Sequence, residues 1–305
     1  MEQRRANLAG IAWMIGAVGA LSLMDAAMKR LSGHYPPVQV AALRGAVALP
    51  LVAAWVALAG GMGELVRVRW PLHLARGVVG VAMLTGFVYT VRVLPLAEAY
   101  SIFFVSPLLI TALSVPLLGE RVGPRRWLAI AAGLLGVLVV LRPTGAGTLS
   151  LAGLVALGAA ACYSLSAIWV RILGRTDSTL SMMFWLMAMV TIGAGALAAP
   201  GWVAVEWSHW PLLAALAVTG TFGQFALTQA FRIGEASVIA PFEYTALAWG
   251  LGLDWALWST RPDARTLAGA AIVVGAGLYL IRRERDAGAV PAATPSAGPP
   301  AVGSD

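Results

Sequence analysis

The sequence predicts an all-α integral membrane protein, with ten transmembrane helices arranged as two inverted five-helix repeats. Composition gives the class: 59% of the 305 residues are hydrophobic and only 11% are charged, whereas a soluble domain carries about 25% charged residues. The mean hydropathy is +0.81. Recurring apolar runs predict the helices, and a repeated pattern in the two halves predicts the symmetry.

Ten apolar runs are long enough, or nearly so, to cross a bilayer, which takes about 20 residues. They are Leu8–Met28, Pro37–Ala59, Leu72–Val91, Leu96–Leu118, Trp127–Leu141, Leu151–Leu173, Leu180–Ala199, Trp210–Ala230, Ala236–Trp258 and Leu267–Ile281. We divide the chain into an N-terminus (1–7), a first repeat (8–143), a second repeat (149–283) and a disordered tail (287–305) rich in Ala, Gly and Pro.

The basic residues predict the orientation. If the N-terminus lies inside, thirteen of the 21 Lys and Arg residues fall on the inner side and six on the outer side. The other two, Arg44 and Arg76, fall within spans. Short cytoplasmic loops carry an excess of Lys and Arg. We therefore expect a bacterial-type inner membrane protein with both termini in the cytoplasm. The net charge of +7 reports this orientation and not nucleic-acid binding.

The two halves match at an offset of about 140 residues. Leu8-Ala9-Gly10 opens the first span and Leu151-Ala152-Gly153 the sixth, while Arg92 and Arg232 precede the fourth and ninth. A unit of five spans repeated once must be inverted the second time. This symmetry is typical of secondary transporters, which open a central site to alternate sides.

Several function classes are disfavoured by residues that the sequence lacks. Lys29 is the single lysine and no Gly-Lys-Ser/Thr occurs, so a P-loop is excluded. The single Cys162 and three separated histidines disfavour a metal centre, and we expect no cofactor. No GxSxG motif or nucleophile–base pair supports the remaining enzyme alternative.

Two opposite charges fall within the first two spans. Asp25 and Arg44 are expected at a similar depth in the outer leaflet, where a lone charge is unfavourable and a pair is tolerated. One hypothesis is a structural Asp25–Arg44 pair, or Asp25 paired with Lys29 one turn on. The other is a carboxylate that binds a proton or the substrate. Arg76, near a span end, is expected to snorkel.

The ninth span carries an acidic residue beside a proline. Glu243 follows Pro241 closely, and Glu243, Gly250 and Asp254 share a helix face by spacing. Proline frees a backbone carbonyl, and a broken helix beside an intramembrane acid is typical of a transport site. Because burial favours the protonated carboxyl, Glu243 is a candidate proton carrier. A structural hydrogen bond is the alternative.

Polar and aromatic residues recur in the other spans and predict a wet central cavity. Stripes such as Thr85–Tyr89 and Thr221–Gln224 could also serve interhelical hydrogen bonding. The predicted substrate-binding residues are Tyr89, Tyr100, Ser101, Tyr163, Trp169, Gln224, Glu243 and Tyr244.

Several motifs resemble the drug/metabolite transporter superfamily, in its EamA family. They are Asp25-Ala26-Ala27-Met28-Lys29 with Arg44, Leu94-Pro95-Leu96-Ala97-Glu98-Ala99, Ser106-Pro107, Leu118-Gly119-Glu120-Arg121 and Ala240-Pro241-Phe242-Glu243-Tyr244-Thr245. The resemblance implies a ten-helix basket that transports small molecules, and is nearest in kind to YddG-type amino-acid exporters. One motif departs: Ser259-Thr260 stands where the family's second Gly-Glu is expected.

We therefore expect a secondary transporter that exports amino acids, chiefly hydrophobic, aromatic and related ones. An importer or exporter of a carboxylate, nucleoside, vitamin or drug is the alternative, and an intramembrane enzyme is the non-transport alternative. Small-residue pairs on the fifth span (Ala132, Gly136) and the tenth (Ala271, Gly275) predict close helix packing, either internal or in a homodimer.

Overall fold

The computed structural model describes residues 2–59, 61–66, 68–118, 124–141, 150–173, 176–233 and 240–288. These residues form α-helices joined by turns and short 3-10 helices, with no strand among them. The α-helices are α1 (Glu2–Leu31), α2 (Pro37–Leu58), α3 (Trp70–Val93), α4 (Leu96–Phe103), α5 (Ser106–Leu118), α6 (Pro124–Leu141), α7 (Leu151–Leu173), α8 (Thr179–Ala198), α9 (Trp210–Ile233), α10 (Ala246–Trp258) and α11 (Ala264–Gly288).

Six of the helices within the described residues are long and apolar enough to cross a membrane unaided. They are α1, α2, α3, α7, α8 and α9. The first apolar stretch is Leu8–Leu31 and the last is Trp207–Leu227. Large apolar side chains remain exposed on these helices, such as Val78 and Ile192 at more than 70%. In a bilayer these side chains face lipid, so the protein is a multi-pass membrane protein.

Helix ends follow from local chemistry. Pro37 occupies the first turn of α2, where a missing N–H is harmless. The Ser178 side chain accepts a hydrogen bond from the Ser181 N–H at 3.2 Å and caps α8. Ser259 ends α10 in the left-handed region, at φ 53°, a conformation that glycine adopts more easily. This position is where the sequence departs from the Gly-Glu motif.

Two of the predicted spans are interrupted rather than continuous. The span predicted over Leu96–Leu118 is divided by a turn at Phe104 and Val105, and α5 follows with Pro107 in its first turn. The span predicted over Ala236–Trp258 contains a 3-10 helix, Ala240–Thr245, before α10. Pro107 and Pro241 explain both interruptions, because proline removes a backbone donor and crowds the preceding turn.

The helices pack in pairs that each join the first half of the chain to the second. The pairs with the most extensive contact are α1 with α9, α3 with α7, α2 with α8, and α6 with α11. In the middle, α4 packs against both α7 and α10. The largest buried cluster lies between α1, α2 and α3 on one side and α8 and α9 on the other, around Met24, Leu43 and Leu84.

Helix boundaries differ from the predictions at the chain ends. α1 already begins at Glu2, so most of the predicted N-terminal segment 1–7 is helical. α11 extends to Gly288, two residues into the predicted tail. The rest of that tail (289–305), the junction between the predicted repeats (142–149) and the Gly119-Glu120 motif lie outside the described residues.

The small residues of α6 and α11 serve internal packing at least in part. A Cβ added at Gly136 would approach Ile272 and Val273 to 2.9 Å, so this glycine permits the close contact of α6 with α11. On α11, Ala271 is exposed and the Gly275 position faces open space. The homodimer through these helices stays a prediction.

Candidate functional site

Asp25 lies buried in the middle of the helices, where it contacts α4. The Tyr100 hydroxyl donates to the Asp25 Oδ2 atom at 2.8 Å, and Asp25 is only 8% exposed. Ser22, one turn earlier on α1, is also buried. Two predicted site residues from different spans are thus in direct contact, although the sequence places them 75 residues apart.

Arg44 faces Asp25 from α2 without touching it. The two charges interact electrostatically, but no Lys, Arg or His nitrogen lies within 4.0 Å of the Asp25 carboxylate among the described residues. Lys29 is directed elsewhere, towards Asp254. Asp25 therefore has its closest polar contact with Tyr100, and the distance to Arg44 exceeds that of a direct ion pair.

The two helix interruptions meet at the centre of the molecule. The ring of Phe104, in the turn before α5, lies 5.1 Å from the ring of Tyr244, in the 3-10 helix before α10. Glu243 is half-buried beside it and lies within electrostatic range of the Tyr163 and Tyr244 hydroxyls. Glu243, Tyr244 and Tyr163 are therefore brought together as predicted site residues.

Tyr163 extends this central group onto α7. Its ring lies 5.4 Å from the ring of Phe103, which in turn lies 5.3 Å from Phe87 on α3. Tyr163 is 39% exposed despite these contacts. The combination provides an aromatic wall with one polar hydroxyl, which suits an amphipathic ligand.

The remaining predicted site residues are placed differently. Ser101 is fully buried, and its hydroxyl donates to the Ala97 carbonyl inside α4 at 2.7 Å, so this hydroxyl is already used. Tyr89, Trp169 and Gln224 are half-buried on α3, α7 and α9.

Three enclosed hydroxyls have no hydrogen-bond partner among the described residues. They belong to Thr85 on α3, Thr221 on α9 and Tyr244. An enclosed polar group without a partner is unfavourable by about 1–3 kcal/mol. These hydroxyls are consequently available to donate to, or accept from, a bound molecule.

An ion pair near the C-terminal end of α3 joins the first half of the chain to the second. We call this group the Lys29 cluster; it comprises Lys29, Asp254 and the first turn of α4. The Lys29 ammonium donates to Asp254 at 3.2 Å and to the Leu94 carbonyl at 3.1 Å. Asp254 also accepts the backbone N–H groups of Leu96 and Ala97 at 3.0 and 2.9 Å. The carboxylate therefore neutralises a lysine and caps a helix at the same time.

A second polar cluster lies at the N-terminal end of α3. We call it the Asp177 cluster; it comprises His73, Asp177 and the Arg69 backbone. His73 Nε2 and Asp177 Oδ2 are 2.8 Å apart, with both side chains about 1% exposed. The Arg69 N–H and the Thr176 hydroxyl also donate to Asp177, at 3.2 and 2.6 Å. Burial by itself would raise the Asp177 pKa, but the hydrogen bonds from Thr176, His73 and Arg69, with the charge of His73, hold it below its usual range.

Arg76 corrects one expectation from the sequence. Instead of snorkelling it is buried, with Nε 3.2 Å from the Ser166 hydroxyl and a terminal nitrogen 3.1 Å from the Met182 carbonyl. It therefore ties α3 to α7 and α8, one turn from His73. The sequence analysis placed Asp254 on a polar helix face, but it found neither its pairing with Lys29 nor the pairing of His73 with Asp177.

Among the described residues, no group of three or more His, Cys, Asp or Glu side chains is arranged to hold a metal ion. The polar centre and the two clusters are built from single charges on different helices.

Comparison with known proteins matches the whole helical region. The pseudopaline exporter CntI of Pseudomonas aeruginosa (strain UCBPP-PA14) is 30% identical over 279 residues, covering 90% of this chain and 97% of that protein. A riboflavin transporter of Vibrio cholerae is 28% identical, covering 90% and 93%. An S-adenosylmethionine uptake transporter of Rickettsia prowazekii is 27% identical, covering 91% and 94%.

A solved crystal structure has the same fold. It superposes with a TM-score of 0.61 at 21% identity, covering 92% of this chain and 99% of that one. The EamA-like transporter family matches twice, over residues 8–142 and 150–283. The relatives are named as transporters and not as enzymes. The chain belongs to the EamA-like transporter family and is a membrane transporter of small metabolites.

Proposed function

We propose that the protein is a secondary transporter with ten membrane spans in two inverted five-span repeats. The helix pairing supports this symmetry. If each span of the first repeat is exchanged with its counterpart, the α1–α9 pair becomes the α7–α3 pair, and the α2–α8 and α6–α11 pairs map onto themselves. Symmetric pairing is expected of two related units that face opposite ways across the membrane.

The same exchange relates the two interruptions. It maps the α4–α5 break onto the 3-10 helix before α10, and the rings of Phe104 and Tyr244 meet there at 5.1 Å. Interrupted helices that meet near the middle of the membrane are typical substrate sites in transporters. This central contact is the single observation that carries the proposal.

The proposed binding site combines the residues near that contact with other polar and aromatic residues predicted from the sequence. They are Tyr89, Tyr100, Tyr163, Trp169, Gln224, Glu243 and Tyr244. The Ser101 hydroxyl, which is bonded within α4, is left out of it. Glu243 and Asp25 are the proposed proton-carrying groups, because each is a carboxyl group removed from bulk water.

Alternating access requires contacts that break on one side while they form on the other. The Lys29 and Asp177 clusters suit this role, since each joins the two halves and they lie at opposite ends of α3. We assign the Lys29 cluster to the outer side and the Asp177 cluster to the inner side of a bacterial inner membrane, with both termini in the cytoplasm, from the distribution of basic residues.

Export of amino acids is the proposed activity. An amino acid offers a carboxylate, an ammonium and a side chain, which match the charged, polar and aromatic groups of the centre. One relative is named as an exporter, and others are named as riboflavin and S-adenosylmethionine uptake transporters. Uptake or export of another small metabolite is the second candidate, favoured by those names.

Counterflow in proteoliposomes tests the proposal. Purified full-length protein is reconstituted with one unlabelled amino acid inside, and entry of the labelled amino acid is followed. We expect counterflow with at least one hydrophobic or aromatic amino acid, and a Glu243→Gln variant whose transport no longer responds to a pH gradient. Counterflow of riboflavin or S-adenosylmethionine alone would replace the amino-acid assignment, and a normal pH response in the variant would remove Glu243 as proton carrier.

A further inference from the structure

Arg44 is an intramembrane cation without a hydrogen-bonded or ion-paired partner among the described residues. It lies on α2 and is half-buried. An arginine in the membrane interior normally pairs with an anion or faces a water-filled cavity. An anionic group of a bound molecule would supply the missing partner.

Asp25 on α1 is the group of opposite charge that interacts with Arg44. One of its oxygens receives the Tyr100 hydroxyl at 2.8 Å, and no other hydrogen bond reaches its carboxylate among the described side chains. The neighbouring residues Met24 and Leu43 pack in one buried cluster, which fixes α1 and α2 against each other. The carboxylate and the guanidinium are thus near enough to interact electrostatically but lie more than 4.0 Å apart.

A separation of this kind fits a molecule that carries both charges. A ligand carboxylate can take two parallel hydrogen bonds from a guanidinium, while a ligand ammonium can bind the free oxygen of Asp25. A ligand with one charge only would leave either Arg44 or Asp25 unmatched, which is unfavourable away from water.

We propose that Asp25 and Arg44 form a clamp for the zwitterionic head group of an α-amino acid or a molecule built on one. The ligand carboxylate binds Arg44, and the ligand ammonium binds Asp25, which Tyr100 orients. This assignment rests on the proposed transport of amino acids. It gives Arg44 a ligand-binding role in place of the structural pair expected from the sequence.

Two enclosed hydroxyls lie on α3 and α9, the helices that pack against α1 and α2. Thr85 on α3 follows Leu84, which packs in the same cluster as Met24 and Leu43. Thr221 on α9 follows Gly220, whose Cβ position would lie 2.8 Å from the Met24 sulfur. Both threonine hydroxyls lack a partner among the described residues. Each could therefore donate a hydrogen bond to, or accept one from, another part of a bound molecule.

Ligand-induced thermal stabilisation of the purified full-length protein in detergent tests the clamp without requiring transport. The twenty proteinogenic amino acids are screened first, and L-phenylalanine is compared with phenethylamine, which lacks the carboxylate, and with 3-phenylpropionate, which lacks the ammonium. We expect an amino acid to bind at least tenfold more tightly than either single-charge analogue. Stabilisation by none of the twenty, or equal binding of the analogues, would overturn the proposal.

Reciprocal variants separate the two halves of the clamp. Arg44→Gln should lose at least tenfold in affinity for the amino acid but little for its amine analogue, and Asp25→Asn should lose for the amino acid but little for its carboxylate analogue. Arg44→Lys, which keeps the charge but not the two-pronged geometry, should fall between. Equal losses for all three ligands would assign both residues to structure alone.

The Tyr100→Phe variant keeps the test usable if Asp25→Asn does not fold. It leaves the carboxylate in place but removes its orienting hydroxyl, so a smaller, ammonium-dependent loss is expected. Counterflow is measured separately on the wild-type protein. Selective binding without any counterflow would reject the proposed transport and keep the clamp, whereas counterflow without the selective losses would reject the clamp.

Discussion

The Lys29 cluster and the Asp177 cluster perform a similar joining task with different chemistry. In each, a carboxylate from the second half accepts donors from the first half, including backbone N–H groups at a helix start: Leu96 and Ala97 in one, Arg69 in the other. Asp254 lies within α10 and pairs with a lysine, whereas Asp177 lies in the turn before α8 and pairs with a histidine.

This difference affects how readily the two halves of the chain can separate at each cluster. Asp254 lies within α10, and its carboxylate accepts donors from Lys29, Leu96 and Ala97. Asp177 lies in a short turn, and the hydrogen bonds from Thr176, His73 and Arg69 hold its pKa below the usual range. We therefore expect the Lys29 cluster to contribute more to stability and the Asp177 cluster to respond more to pH.

Asp254→Ala should have the largest effect. It leaves the Lys29 ammonium without its carboxylate and uncaps α4 at Leu96 and Ala97, and breaking a buried pair is unfavourable by about 3–5 kcal/mol. Thermal unfolding in detergent should show the loss, and counterflow should fall at least tenfold. Asp254→Asn, which keeps an acceptor for the backbone N–H groups, is the matched control and should lose less. Equal stability of both variants and the wild type would contradict the double role of Asp254.

Asp177→Asn should have an intermediate effect that depends on pH. Because its pKa is held below the ordinary 3.8, the carboxylate contributes stability above about pH 4, and this contribution disappears as the pH falls through the lowered value. We expect the variant to be less stable by about 1–3 kcal/mol at neutral pH, with the difference shrinking in acid. Unfolding measured from pH 3 to pH 7 checks this, and a constant difference over that range would disprove it.

Lys29→Gln should have a smaller effect on stability, but it should clearly increase the access of solvent to the residues behind the Lys29 cluster. Asp254 keeps its two backbone donors, so a loss of about 1 kcal/mol is expected. In a Cys162→Ser background, an Ala99→Cys reporter, which lies buried in the cluster around Tyr100, should react faster with a thiol reagent once Lys29 is replaced. Arg30→Gln, one residue on and exposed, is the matched control and should leave the labelling rate unchanged.

Ser259→Gly should have the smallest effect, and in the stabilising direction. Ser259 ends α10 at φ 53°, and its N–H bonds back to the carbonyls of Asp254 and Trp255. A non-glycine residue in this conformation is less stable by about 1–2 kcal/mol. Glycine should raise the unfolding midpoint slightly and tighten the helix end that holds Asp254. Ser259→Ala tests the sign, since alanine keeps the strain and should give no gain.

Much of the architecture could be predicted because it depends on local pattern. Apolar runs of the right length predicted the six long membrane-spanning helices. Prolines marked where two further apolar runs are interrupted, since proline acts on its own turn. The sequence also singled out Asp25, Glu243 and Tyr244. It mispredicted Arg76, because whether an arginine reaches water depends on neighbours such as Ser166 and Met182, which lie far along the chain.

The sequence by itself determined the all-helical membrane class and the family, because hydropathy, spacing and motifs are properties of short segments. Only the tertiary structure decided which polar and charged side chains meet. The pairs are Lys29 with Asp254, His73 with Asp177, and Tyr100 with Asp25. Charges in a low-dielectric interior must find partners wherever the packing brings them. That choice depends on helices separated by up to 225 residues, and no local pattern in the chain encodes it.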